Sequence, residues 1–586
     1  MKTLCTLLLL IIIGNVNALQ QPRQQAIVVG SGPVGVATSL ILATNHNYDV
    51  TLLESSPASS TQTKYDPTKA FLYNVNGRGQ RLTKMFPEMH QRMVERSVIS
   101  KGFGGTKLTI VPADPEEPIP EQKMNVPAAA DKDDNDDDNG NDNKSMPSGE
   151  KAGNVGFWIP RHEMVKLMVE EIEEHNKRGL GGTITLCTGQ ECVSVVPRST
   201  NEDGESVTVV VTTKDVSSSS SQENITNEYN ANLVIGADGM NSKVRQCLHN
   251  APPGTWSSNC VKSTKFQPKK FTSPASYLRI KVLQLPPQFE IPDADGKPPL
   301  KTFSEDIYAI RSVNTGPRTF LSLGLLPMKD NTAVRPTNII TRPDHGIWKI
   351  TNGKSMREYF QQAFPRLNFQ EGGLISNEEW DRFAKAEGTR FPPCQYSPGL
   401  AVWDTSGSSG VALVGDSIHA FSPDIGQGVN AGLMDVVCLD RALSGFDDVE
   451  SSESDDNATE KKKQTTSTTL EANLQRYQKQ HAPEIAALIR LARFGAPYQY
   501  KQPHRADRAL RLVWTANVAM RLLLNKVSFG VIQPPCIILS QNEDLTFRQV
   551  MRRADRTTAL LKTIVLAGLT LWAKKRFGLA LFRALP

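Results

Sequence analysis

VALVGDSIHAFSPDIGQGVNAGLMD, residues Val411 to Asp435, decides how this chain of 586 residues is read. Four aliphatic residues, Val411 to Val414, make a short buried strand, and Gly415-Asp416 ends it on a carboxylate. A polar loop holding Pro423 follows, and Gly426-Gln427-Gly428 then opens a helix near Val429. A helix start leaves backbone N–H groups unpaired and carries a partial positive charge. A carboxylate able to hold sugar hydroxyls therefore stands shortly before an anion-stabilising helix end. That pairing suits a cofactor with a polyol chain and a ring that becomes negative on reduction, as a reduced flavin does. The same residues also compose an ordinary strand–loop–helix with a glycine-rich turn, so the stretch needs support from elsewhere.

Support comes from the N-terminal end. Ala26-Ile27-Val28-Val29 is a buried-strand run, followed by Gly30-Ser31-Gly32-Pro33-Val34-Gly35 and a helical stretch, Val36 to Ala43. A G-x-G-x-x-G loop between strand and helix permits a tight turn and the close approach of a pyrophosphate to the helix N-terminus. A second apolar strand, Val50 to Leu53, ends in Glu54, about 20 residues beyond the loop, where a carboxylate accepts from ribose hydroxyls. An acidic residue there favours an adenosine ribose without a 2′-phosphate, as in FAD or NAD. Taken with the Asp416 segment, FAD is the better choice. A third piece, Asn232-Leu-Val-Ile-Gly-Ala-Asp238-Gly239-Met-Asn-Ser242-Lys-Val-Arg245, is a strand ending in an Asp-Gly turn. Its alternative reading is a turn that caps a helix through Ser242.

In order and separation, these three motifs resemble those of the aromatic-hydroxylase class (class A) of FAD-dependent monooxygenases. The resemblance implies that Asp416 binds the ribityl chain, and that Pro423, Gly426, Gln427, Gly428, Val429 and Asn430 shape the flavin site. It implies that Asp238-Gly239 approaches the pyrophosphate and takes part in nicotinamide-cofactor use. Arg161, in Ile159-Pro-Arg-His-Glu-Met-Val165, matches an arginine that opens a helix and contacts the cofactor. Arg78, in Asn76-Gly-Arg-Gly79, matches an arginine–glycine step near the flavin edge. Both patterns are also compatible with solvated surface arginines, and His419 reads as a packed loop histidine rather than a base. In such enzymes NAD(P)H reduces FAD, O2 forms a flavin C4a-hydroperoxide, and one oxygen hydroxylates or epoxidises an aromatic or apolar small molecule. No side chain is assigned as a nucleophile.

Within that class, the Gly426–Gly432 wording, Arg78-Gly79 and a long helical tail with an apolar C-terminus are most similar to the kynurenine 3-monooxygenases. Those enzymes place arginines after the segment aligned with Ser100-Lys101-Gly102 to pair with the substrate carboxylate. Here Lys107 is the cation in that place, a point charge rather than a bidentate fork. Lys107 is therefore the candidate substrate-binding residue. The alternatives are a reductase or halogenase of the same fold, although the W-x-W-x-I-P motif of typical halogenases is missing, and a non-catalytic FAD-binding membrane protein.

The whole chain reads as α/β. A discontinuous Rossmann-like FAD/NAD(P)-binding domain takes 24–111, 154–251 and 401–445, and an inserted, mostly antiparallel substrate-binding sheet takes 252–400. Strands are expected near Ile184–Cys187, Val207–Val211, Tyr277–Leu283, Ile307–Val313 and Thr319–Leu325, with a helix over Arg161–His175. Three polar stretches, 112–153, 216–227 with its five consecutive serines, and 446–469, read as disordered insertions. Residues 470–586 are helical and basic. Leu560 to Trp572, interrupted by Lys562 and followed by Lys574-Lys575-Arg576, suits a helix lying at a membrane surface; a helix packed on the enzyme body is the alternative.

Net charge of +5 and a pI near 8.6, without a basic–aromatic array, point away from nucleic acid. The cysteines include no C-x-x-C, and no metal centre is expected. Met1 to Ala18, with Lys2, the apolar run Leu7 to Ile13 and Val16-Asn17-Ala18, reads as a secretory signal peptide and implies an endomembrane location. An uncleaved anchor or the first half of a two-part plastid signal is the alternative. Sequons stand at Asn143, Asn224 and Asn457.

Overall fold

The computed structural model describes residues 23–57, 63–67, 71–101, 107–120, 155–199, 207–216, 226–276, 278–294, 296–314, 319–446, 469–498 and 505–583. The expected signal segment 1–18, the serine run, most of both polar insertions and all three sequons lie outside the described residues.

The aliphatic runs that open the three motifs become neighbours in one sheet. Its order is Ala401–Trp403, Gly410–Leu413, Leu233–Gly236, Gln25–Val29, Asp49–Glu54 and Ile184–Thr188. Every adjacent pair is parallel except Ala401–Trp403 with Gly410–Leu413. Strands that are apolar on both faces need cover on both faces. Helices Pro33–Asn45, Arg161–Arg178 and Gly428–Leu443 and an antiparallel meander, Gln190–Ser199, Val207–Asp215 and Thr226–Ala231, pack around this core. The first helix starts three residues before the expected Val36, because Pro33 has the helical φ built in and lacks the N–H that a first turn leaves unpaired. Gly35 is required there: a Cβ would overlap the carbonyl oxygen of Gly30.

A second six-stranded sheet runs Thr389–Arg390, Arg279–Leu285, Arg335–Thr341, Ser322–Leu325, Ile307–Arg311 and Leu108–Val111. Its pairs are antiparallel except the last, which is parallel. The sequence reading put Leu108–Val111 in the FAD-binding segment; it is the edge strand of this second sheet. Four residues carry too little pattern to choose between two sheets, and pairing with distant Ile307–Ile310 chooses. Helices Gly353–Ala363 and Asn377–Lys385, absent from the strand-only expectation for this region, cover one face. Asn352 and Ser376 cap them. Phe360, Phe364, Phe369, Trp380 and Phe383 fill a separate aromatic core beneath them. The polar insertion beginning at 112 is also packed at its start. Ile119 is buried and its N–H donates to Asp293 Oδ1 at 2.8 Å, while the Arg366 guanidinium donates to the carbonyls of Asp114 and Glu117. Thr226 and Asn227, expected in the serine-rich insertion, open the strand Thr226–Ala231.

The C-terminal region is helical as expected: Leu470–Phe494, Arg505–Val527, Cys536–Leu539 and Phe547–Arg583. Leu470–Phe494 packs on both Gly428–Leu443 and Phe547–Arg583. It is joined to the cofactor half of the molecule rather than appended to it.

Candidate cofactor site

Three parallel strands end side by side, so the loops that follow them share one edge of the sheet, where ligands of open α/β sheets bind. The loop after Gln25–Val29 turns at Gly30, whose φ is +104° and whose Cβ, if present, would lie 2.5 Å from the carbonyl oxygen of Ala237. The Gly30–Gly35 and Asp238-Gly239 loops thus touch backbone to backbone. Glu54 braces the same loop. Its Oε2 accepts from Ser31 N at 2.9 Å and Ser31 Oγ at 2.7 Å, and its Oε1 from Ser56 N at 2.8 Å. Burial pushes this carboxyl up, but the Ser31 and Ser56 donors outweigh it and hold it below the usual carboxylate value. The expected ribose acceptor therefore has a second occupation; a carboxylate with about four lone-pair sites retains capacity for a hydroxyl.

Asp238 caps the Lys243–Asn250 helix: Oδ2 accepts from Lys243 N at 2.6 Å and Val244 N at 3.1 Å. Ser242 Oγ adds a bond from Arg245 N at 2.9 Å. The capping alternative and the cofactor reading are thus compatible, because Asp238 Oδ1 is buried and has no protein partner. Burial pushes this carboxyl above its usual range. Arg245, buried and given no role by the sequence reading, donates to the carbonyls of Met240 and Ser417 and ties the second loop to the third.

Asp416 is solvent-accessible, although protein surrounds its carboxylate on most sides. That enclosure pushes its carboxyl above the usual range, His419 and Arg161 pull it down, and Asp435 opposes them. Arg161 opens its helix with its N–H donated to the carbonyl of Phe71 at 2.9 Å, and it acts electrostatically on both Asp416 and Tyr73. Pro423, Gly426 and Gly428 are exposed as well, and the helix that Gly428 opens packs on the Gly415–Ser417 turn. A Cβ on Gly426 or Gly428 would meet nothing within 4 Å. The helix itself starts at Gly428, one residue before the expected Val429, and Gln427 precedes it with its buried Oε1 unpartnered. Open space at the glycines, an accessible carboxylate surrounded by protein and orphaned oxygens on Asp238 and Gln427 fit a bound polar cofactor such as FAD.

Two residues have different surroundings from those the resemblance implied. Arg78 is buried and faces the C-terminal region. Its guanidinium donates to the carbonyls of Ser540 at 2.6 Å, Asn542 at 2.7 Å and Leu545 at 3.0 Å, and lies 5.0 Å from the Phe547 ring centroid. Burial lowers its pKa to about 10. Asn430 is fully buried; its amide donates to the carbonyls of Asn74 at 2.9 Å and Gly426 at 3.2 Å, and its oxygen accepts from Asn76 N at 3.0 Å. It clamps strand Leu72–Val75 to the glycine turn. Lys107 is exposed beside the edge strand of the second sheet. His419 is buried in the short strand His419–Ala420, which pairs with Gln395-Tyr396, and its Nε2 lies 2.8 Å from Asp435 Oδ2.

No protein-family model matches the chain. It is similar to ubiquinone biosynthesis monooxygenase COQ6, mitochondrial, of Schizosaccharomyces pombe, with 26% identity over 238 residues. That match covers 37% of this chain and 42% of the relative, so the chain spans less than half the length of the curated relative it matches. Among solved structures, the tetrameric form of 2-methyl-3-hydroxypyridine-5-carboxylic acid oxygenase aligns at a TM-score of 0.45 and 15% identity, over 84% of this chain and 93% of that one. Tetracycline destructase Tet(55) aligns at 0.45 and 14%, over 84% and 94%. PqsL of Pseudomonas aeruginosa, a probable FAD-dependent monooxygenase, aligns at 0.42 and 16%, over 80% and 95%.

Proposed function

We propose that this chain is a FAD-dependent monooxygenase that uses NAD(P)H and O2 to hydroxylate or epoxidise an aromatic or apolar small molecule. The observation that carries this reading is the accessible, protein-enclosed Asp416 carboxylate, on a turn packed by the helix that the bare Gly426–Gly428 step opens, at the same sheet edge as two glycine-bearing loops. The Gly30–Gly35 loop and the N-terminus of Pro33–Asn45 would hold the pyrophosphate, Glu54 the adenosine ribose, Asp416 the ribityl chain and the Gly428 helix end the ring. When bound, FAD supplies the exchange of electrons with NAD(P)H and the activation of O2. The chain's own residues bind, orient and exclude water.

The second sheet supports an apolar substrate. Side chains alternate along its strands, and Leu283, Leu285 and Ile339 face the aromatic core. The opposite face carries half-buried Val282, Ala309, Asn338 and Ser322, with Ile340 packed on a small cluster of Ala275, Leu278, Ile280 and Phe391 and exposed Arg311 beside Ser322 at one end. Kynurenine-type specificity is the narrower proposal, with Lys107 as its candidate cation.

The C-terminal helices support docking at a membrane surface. Leu512, Val513, Leu566, Leu571 and Trp572 are exposed, with Lys562, Lys574 and Lys575 beside the last three. Among the described residues no helix is long and apolar enough to cross a membrane. With the Met1–Ala18 segment, this favours an endomembrane location.

The test is a visible spectrum of the purified protein, followed by NADPH and NADH oxidation in air with kynurenine and a panel of aromatic and isoprenoid compounds. Flavin bands, stimulated oxidation and a product carrying one oxygen atom from O2 are expected. A colourless protein that takes up no added FAD would sink the proposal. Flotation with anionic vesicles, lost on truncation before Leu560, tests the membrane reading.

A further inference from the structure

Asp435, in the Gly428–Leu443 helix, is 1% exposed at its side chain, and both of its oxygens are used. Oδ2 accepts from Gly415 N at 2.7 Å and lies 2.8 Å from His419 Nε2; Oδ1 lies 2.6 Å from His481 Nε2. His481 belongs to none of the three cofactor motifs. It comes from Leu470–Phe494, the first helix of the C-terminal region. One turn earlier on that helix, Tyr477 stacks on the His481 ring with centroids 5.4 Å apart and donates its hydroxyl to the carbonyl of Leu413 at 2.9 Å. Tyr477 thus holds Leu413 directly. His481 holds Gly415 through Asp435. Together they grip the chain on both sides of Val414, immediately before Asp416.

We propose that His481 is a positioning residue for the cofactor: through Asp435 it fixes the Gly415-Asp416 turn and makes flavin retention depend on the C-terminal helical region. The inference rests on the reading of Asp416 as a flavin ligand. Its physical ground is that a buried carboxylate is stable only when paired and hydrogen-bonded. Gly415 N, a neutral donor, shares Asp435 with the two imidazoles. Loss of one imidazole leaves the other contacts to reorganise, and the Gly415 N–H is the contact that sets the turn.

The titratable groups facing the pair are His419 and Asp416 from the loop, Cys438 from the Asp435 helix and Tyr477 from the His481 helix. Burial lowers the His481 pKa, but Cys438 and Asp435 more than offset it and raise it well above the ordinary value. Burial raises the Asp435 carboxyl, and His419 and His481 hold it far below its usual range. A histidine raised in the folded state contributes fully below its unfolded value, near ~6.5, and its contribution is lost as pH rises through the raised value. The depressed carboxylate contributes above about 3.8 and fails only as pH falls toward its lowered value. The pair therefore stabilises the fold through mildly acidic and neutral pH, and its contribution weakens on the alkaline side as His481 loses its proton.

The experiment measures FAD dissociation constants by fluorescence at neutral pH for the full chain and for His481→Leu and His481→Gln. The leucine variant should bind FAD about tenfold more weakly, the order expected for losing a charge-assisted hydrogen bond. The glutamine variant, which keeps an N–H donor, should bind within about threefold of wild type. Wild-type affinity in the leucine variant would overturn the inference. Should that variant fail to fold, His481→Asn, whose shorter side chain falls short of Asp435, takes its place, and wild-type affinity in it overturns the inference equally. If the wild-type chain takes up no FAD, the flavin reading fails by itself. Hydrogen exchange at Gly415 and Asp416 then judges the clamp, with faster exchange in His481→Asn supporting it and unchanged exchange refuting it.

Discussion

The two six-stranded sheets differ in how they present chemistry. The parallel sheet offers an edge: three neighbouring strands end together, and each end carries a loop whose polar atoms are mostly committed to other loops. The second sheet offers a face, in which alternate side chains point away from the aromatic core and stay half-buried. Where its loops touch, this edge tolerates little change, because Gly30 meets Ala237, Arg245 meets Ser417 and Asp435 meets Gly415, while Gly426 and Gly428 keep open space. A face can exchange side chains without moving its backbone. Cofactor binding is therefore expected to be brittle here, and substrate choice adjustable.

The sharpest break is Gly35→Val, which drives a side chain into the carbonyl of Gly30. Complete loss of the flavin bands in purified protein is expected; a yellow variant would show that the loop can relax. Next comes Trp380→Ala in the core of the second sheet, with a cost of about 3–5 kcal/mol. Because the two cores are separate, the early melting transition should leave the flavin bound, and calorimetry with simultaneous flavin fluorescence checks this.

Asp424 sharpens the comparison from the other side. Both of its carboxylate oxygens are buried without partners, and burial alone pushes its pKa up to about 7. A raised carboxyl destabilises the fold progressively as pH rises from the unfolded value to about 7, and fully above it. Asp424→Asn should then raise stability above pH 7 by as much as about 4 kcal/mol and flatten the slope below it, as denaturant titrations at several pH values would reveal.

Arg78→Ala leaves three carbonyls without their donor and should cost about 2–3 kcal/mol. If Arg78 acts through the C-terminal region, melting temperature drops while FAD affinity of the folded fraction is kept; the reverse pattern would restore it to the flavin edge. Smallest of all, Lys107→Ala should alter stability by no more than about 0.5 kcal/mol. An increase in KM confined to substrates bearing a carboxylate would support its role, and an equal effect on neutral substrates would remove it.

Much of the cofactor edge was legible before folding because its signals are local. Gly30–Gly35, the Val411–Val414 strand and the Asp238 turn each declare themselves within a few residues, through glycines that only a close approach requires and aliphatic runs that only a covered strand tolerates. The parallel pairing of Gln25–Val29 with Asp49–Glu54 follows from the single crossover helix between them; the places of Leu233–Gly236 and Gly410–Leu413 beside them were set by the tertiary fold. What the chain could not declare locally was the destination of long side chains and short strands. Arg78 stands in a cofactor-like sequence, but its guanidinium reaches carbonyls supplied more than four hundred and fifty residues later. Leu108–Val111 has no pattern of its own and took the sheet whose edge was open to it. His481 reads as one polar position in an amphipathic helix; only packing against Gly428–Leu443 turned it toward Asp435. Backbone conformation follows from nearby residues because sterics act over a few bonds. A buried charge takes its meaning from whichever partner the tertiary fold brings within hydrogen-bond distance.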